Sequence, residues 1–189
     1  MKFENAQKLL DKYVKGETLK RHCLTVAVTM EFWAKDLGQS DPENWKSIGL
    51  LHDIDFELYP NEHCVKAKEI LEAEKANFPD ITDEIIHAVL SHGWKLVSDV
   101  EPISQMEKVL YTIDELTGLI FACAMVRPSK SVNNLETKSV IKKFKTPAFA
   151  ANCNRSVISE GASMLGMDIK DIIEKTILAM RSQAQILGV

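Results

Sequence analysis

The chain has 189 residues, 46% of them hydrophobic, with a net charge of −4. That is enough to bury one sizeable core, and too acidic for a general nucleic-acid binder, which carries a basic excess. The N-terminus, MKFENAQKLLDKYVKGE, is charged throughout and lacks the apolar stretch of a secretory signal. The longest apolar run, Gly118 to Val126, is too short to span a bilayer. Cys23, Cys64, Cys123 and Cys153 form no CxxC pair and no disulfide framework, so reduced thiols in a cytoplasmic protein are expected.

Helical spacing dominates from Thr18 onward. Leu19, Cys23, Val26, Met30, Trp33 and Leu37 recur at intervals of three or four, and Gly38 is a natural stop. "SDPENW" reads as an N-cap with proline in the first turn of a helix running to His52 and Asp53. Pro60 marks a boundary before a third helix, over about Asn61 to Ala76. "PDITDEIIHAVLSHG" follows, capped by Asp80 or Thr82 and ended by Gly93. Gln105 to Val126 carries a long helix, and two or three more are expected after Pro128. The pattern predicts one all-α domain, a helical bundle with a C-terminal helical extension packed on it.

Against this apolar background several hydrophilic residues stand out. His52, Asp53 and Asp55 lie behind an apolar run in "GLLHDIDFELYP", His22 sits between Leu19 and Val26, and Asp114 is embedded in "KVLYTIDELTGLIF". A buried carboxylate or imidazole costs several kcal/mol unless it is paired, protonated or metal-bound, on the order of a lost hydrogen bond or more. The chain order is H…HD…D, four potential ligands on three helices.

In these residues the sequence resembles the HD-domain metal-dependent phosphohydrolases, over roughly residues 18 to 126. The resemblance rests on His22 in "LKRHCLTV", His52 and Asp53 in "GLLHDID", and Asp114 in "YTIDELTG". It implies an HD-type metal-binding helical core over 1–126, an extension over 127–189, and a metal-activated water attacking a phosphate ester or anhydride. His63 in "PNEHCVKAKEIL" and His92 in "AVLSHGW" stand where the bacterial HD-domain diadenosine tetraphosphate hydrolases carry ligands for a second metal. After the doublet Ile54 matches the isoleucine of many members, and Asp55 stands where they have glycine.

Imidazole with carboxylate suits Fe, Mn, Zn, Co or Ni, and one or two such divalent ions are expected. The metal set is then His22, His52, Asp53, His63, His92 and Asp114. Asp53 is the natural bridge, and with His52 it is assigned the catalytic role. A lone histidine is more often a hydrogen-bonded core or surface residue, and His63 could be a solvated first-turn residue. His87 lies five residues from His92, about 140° round a helix, and is assigned to packing or surface. Cys23 and Cys64 are expected to turn away from the site, while Asp55 and Glu57 either orient ligand imidazoles or lie in solvent.

Between Arg127 and Pro147 six basic residues face one acidic residue. Such a run is usually a solvated helix face. Its functional reading makes Arg127 and Lys130, with Lys66, binders of substrate phosphates. The partner expected is a small phosphorylated substrate, a nucleotide by preference, with no membrane and no general nucleic-acid binding. Two alternatives stay open: a nucleotide-binding signalling module with a structural metal, and a di-iron oxygenase of the same superfamily.

Overall fold

The computed structural model describes residues 1–189. It contains ten α-helices, one 3₁₀ turn and no strand. In order they are α1 Phe3–Tyr13, α2 Glu17–Asp36, α3 Pro42–Leu51, the 3₁₀ turn Pro60–Glu62, α4 Val65–Glu74, α5 Asp83–Ser91 and α6 Gln105–Met125. Then come α7 Thr137–Phe144, α8 Arg155–Leu165, α9 Ile169–Ser182 and α10 Ala184–Leu187.

The helix starts follow capping chemistry. Asp41 accepts from the Asn44 amide with Pro42 in the first turn of α3, and Thr82 caps α5 by accepting from Ile85. Ser104 and Glu107 form a reciprocal capping box on α6. Gly38, just past α2, has φ +66°, a left-handed conformation that costs glycine little. The charged N-terminal segment forms α1, whose Ala6, Leu9 and Leu10 are buried; alternation of charge with apolar residues at three- and four-residue spacing hides this face in a composition-level reading.

The segment after Pro60 departs from the expected long helix. Only residues 60–62 make a 3₁₀ turn, and α4 begins at Val65. The break falls at Cys64, whose φ of +68° no α-helix accepts. His63 therefore lies between helices and is free of helical register. Four helices, against the two or three expected, follow residue 128.

The centre of the bundle is α2, buried on most of its circumference through Cys23, Val26, Ala27, Met30, Trp33 and Ala34. It packs against α3, α6 and α9, and α8 lies along α6. One apolar cluster runs from Ala6 to Val189, so residues on both sides of 126 share a core. Two close approaches set the packing. A Cβ at Gly49 would meet the backbone of Ala27 at 3.0 Å, and one at Gly161 would meet Thr112 Oγ1 at 2.0 Å and its Cα at 3.1 Å.

Gly161 is mid-helix, where alanine would otherwise gain about 1 kcal/mol in helix propensity. The clash with Thr112 outweighs this, because overpacking a filled contact costs about 1–3 kcal/mol. Gly161→Val should therefore lower the midpoint of chemical denaturation, and an unchanged midpoint would show that α8 does not seat on α6 as described.

Candidate metal centre

The ends of α3 and α5 deliver two histidines in the same way. A helix leaves its last carbonyls without intrahelical partners. His52, immediately after α3, places Nδ1 2.8 Å from the Gly49 carbonyl, and His92, immediately after α5, contacts the Val89 carbonyl through Nδ1. A carbonyl only accepts, so Nδ1 carries the proton in each ring and the neutral ring turns a lone pair outward at Nε2.

His63 reaches the same orientation through a carboxylate. Asp55 is fully buried; one oxygen accepts from His63 Nδ1 at 2.7 Å and the other from the Ala67 amide in the first turn of α4 at 2.8 Å. Asp55 thus fixes the imidazole and caps the helix together. Glu57 does neither: its carboxylate accepts from the Lys15 and Gly16 amides ahead of α2.

The six side chains form two groups around Asp53. On one side His22 Nε2 lies 3.1 Å from His52 Nε2 and 3.0 Å from Asp114 Oδ1, with His52 Nε2 3.3 Å from the same oxygen. On the other, His63 Nε2 lies 3.0 Å from His92 Nε2. Asp53 Oδ2 faces the first group, 3.6 Å from His22 and 3.5 Å from His52. Its Oδ1 faces the second, 3.3 Å from His63 and 3.5 Å from His92. Only His22 and Asp114 lie within helices, α2 and α6 respectively. The other four occupy helix ends and the segments after them, and of these His63 departs from the helix expected over Asn61 to Ala76.

His63 and His92, both committed as donors at Nδ1, oppose two Nε2 lone pairs at 3.0 Å, a contact that a proton or a cation between them relieves; across the 3.1 Å between His22 and His52 an Nε2–H of His22 can donate to His52. Burial alone pushes the His52 imidazole down, but the Asp53 and Asp114 carboxylates prevail and raise it to about 9. His63 follows the same balance, burial against the Asp55 hydrogen bond above all, and rises to about 10. Burial pushes Asp53 and Asp114 up, yet the charge on His52 and the surrounding imidazoles holds both below the usual carboxylate range. The donor set, four imidazoles and two carboxylates without a thiolate requirement, fits divalent transition ions in the proton's place.

Above the cluster opens a cavity of about 780 Å³. Phe56, Leu96, Val97 and Val157 give it apolar walls, and Phe56 stands edge-on to the His63 ring, centroids 5.2 Å apart. Residues 150–153 form a further wall. Arg155 holds this segment by donating to the Phe149, Ala150 and Cys153 carbonyls. Glu115, next to Asp114, accepts from the Asn154 amide at 2.9 Å, and burial pushes its carboxyl up. Sequence reading missed Glu115 and this wall; adjacency to Asp114 was the one available signal.

The three basic candidates do not line the cavity. Lys66 Nζ is paired with Glu69 at 2.8 Å and lies 3.8 Å from Glu62. Arg127 follows the end of α6 and donates to the Asn134 carbonyl; the eleven residues from Asp114 to Met125 place that end roughly 16 Å away. Lys130 is exposed beyond it. His87 is likewise separate, bound to Glu107 at 2.7 Å. Cys64 corrects the expectation that it turns away: its buried Sγ and ring nitrogens of His63 and His92 all lie within 4.8 Å of one another.

The raised His52 and His63 values set a pH dependence for the metal-free protein. Both pKa values lie above the free-imidazole value of 6.5. Their stabilisation is therefore complete below that value and is lost as pH rises through about 9 and then about 10. Chelator-treated protein should lose a few kcal/mol of unfolding free energy between neutral pH and pH about 10. A flat profile over this interval would contradict the proton-held cluster.

No curated protein and no solved structure matches the chain. No helix is long and apolar enough to cross a membrane. The family model described as "HD domain" matches residues 19–119, more than half of the chain and a span containing all six clustered residues. The chain belongs to the HD-domain family, a superfamily of metal-dependent phosphohydrolases whose members bind divalent metals.

Proposed function

We propose that this chain is a metal-dependent phosphohydrolase acting on a nucleotide or another small phosphorylated substrate. The observation that carries the reading is the division of Asp53: one carboxylate oxygen faces His22, His52 and Asp114, the other His63 and His92. A single structural ion has no use for two such groups or for an open cavity beside them. The alternative of a binding module with a structural tie is disfavoured on that ground.

In this reading His22, His52 and Asp114 would hold one divalent ion, His63 and His92 a second, and Asp53 would bridge them. Bound there, the ions supply Lewis acidity toward phosphate oxygens and acidify a water. The chain's own contribution is orientation and exclusion. The Gly49 and Val89 carbonyls keep His52 and His92 in the tautomer that aims Nε2 inward, and Asp55 does so for His63. Phe56, Leu96, Val97 and Val157 give the open cavity beside these donors an apolar lining.

Elemental analysis should find about two transition-metal ions per chain, and the loaded protein should release phosphate from phosphate esters. Asp53→Asn should remove turnover while helical content persists; retention of full metal content and activity would remove the bridge. Asp55→Asn tests positioning separately. It leaves all six donors in place but weakens the hold on His63, so metal affinity should fall about 10–100-fold. Loss of helicity in place of metal affinity would assign Asp55 to capping α4 alone. Redox-active, mixed-valent iron without phosphate release would favour the oxygenase alternative.

A further inference from the structure

His63 and Cys64 are consecutive, yet both bring a donor atom to the same place. Neighbouring side chains point about 100° apart on a helix and to opposite faces of a strand. The backbone at Cys64, with φ +68°, belongs to neither, and there its Sγ and ring nitrogens of His63 and His92 come within 4.8 Å of one another. A non-glycine residue keeps such a backbone only where its surroundings impose it.

Those surroundings are shaped around the sulfur. Gly93, the residue after His92, carries no side chain, and a Cβ there would stand 2.6 Å from Cys64 Sγ. The thiol forms no disulfide, and the residue is 1% exposed. Asp53, His63 and His92 line the large cavity and Cys64 does not. The sulfur therefore stands behind the second group of donors, away from the open side, where it takes no space from a substrate. Cys23, Cys123 and Cys153 belong to no such cluster of ligand atoms.

We infer that Cys64 is a direct donor to the second ion, which is then held by His63, Cys64, His92 and one oxygen of Asp53, while the first is held by imidazole and carboxylate alone. The inference rests on the two-ion reading above. As the ion binds, the S–H bond breaks, the sulfur electron pair forms the bond to the metal, and the proton passes to solvent. The two positions thereby differ in softness. A thiolate selects thiophilic ions such as Zn²⁺, whereas imidazole with carboxylate also accepts Mn²⁺. The centre is thus built to take two unlike metals, with the thiophilic one at the His63 side.

The test is the absorption spectrum of the chain loaded with Co²⁺, cobalt per chain being measured in the same samples. A cobalt–thiolate bond gives a charge-transfer band in the near ultraviolet that imidazole and carboxylate ligands do not. The wild-type protein should show this band, and Cys64→Ser should lose it. Cys153→Ser, a change at the cysteine that lines the large cavity, should keep it. In competition between Zn²⁺ and Mn²⁺, Cys64→Ser should retain less zinc relative to manganese than the wild type. Should Cys64→Ser fail to fold, the wild-type band and its survival in Cys153→Ser carry the decision. Bound cobalt without the band, or a band that survives Cys64→Ser, would overturn Cys64 as a donor and leave the two-ion reading intact. If no cobalt binds, that reading falls and the donor role with it.

Discussion

Opposed imidazole nitrogens around a shared carboxylate form the constraint to which the rest of the structure answers. Two pairs of ring nitrogens face each other at 3.0 and 3.1 Å, with Asp53 between them and Asp114 against one pair. In a site sheltered from water, charges at such distances interact far more strongly than in solution. A proton or a cation shared between facing ring nitrogens turns the contact from repulsive to attractive. The carboxylates that raise the His52 and His63 imidazoles would favour a divalent ion at the same positions.

Such a cluster needs scaffolding that cannot relax, and helix ends supply it. A side chain inside a helix is committed to one face and one register, whereas the residue after the last turn can aim along the axis and borrow the free carbonyls. His52 and His92 use this freedom identically, each anchored three residues back. The close approach of α3 to α2 at Gly49 then fixes the height of one of these ends against His22. Asp55 does for His63 what the carbonyls do for the other two, at the cost of burying a full carboxylate that must keep both its partners.

Legibility in the sequence follows the same division. The helical period exposed α2, α3, α5 and α6 because their buried faces repeat, and His22 and Asp114 were conspicuous as polar residues on those faces. His52 and Asp53 were readable as the end of the helix opened by "SDPENW", with Pro60 as the boundary behind them. His63 was assigned to a helix because Pro60 resembles a helix start; the positive φ at Cys64 that interrupts it has no sequence signature in a non-glycine residue. Arg127 and Lys130 were attractive for their charge and their nearness in sequence to the Asp114 helix. Helix length defeats that argument, since a side chain eleven or more residues along an axis has left the site.

The wall at residues 150–153 lies outside the span that matches the HD-domain family, yet it borders the same cavity as the six clustered residues. It is joined to the centre through Glu115, whose neighbour Asp114 contacts His22 and His52, and it is held in shape by Arg155. Chemistry shared by a family resides in the matched helices, where donor positions are set by helix ends and cannot drift. Selectivity resides where backbone is free to vary, in a segment without helical register seated on a rigid frame. The wall at residues 150–153 lies in the connection between α7 and α8, and the C-terminal helices share one continuous apolar core with the matched region. Disturbing the packing of α8 on α6 therefore moves a wall of the cavity, which Val157 of α8 lines, as well as the stability of the fold, and the two effects should rise together across substitutions at that contact.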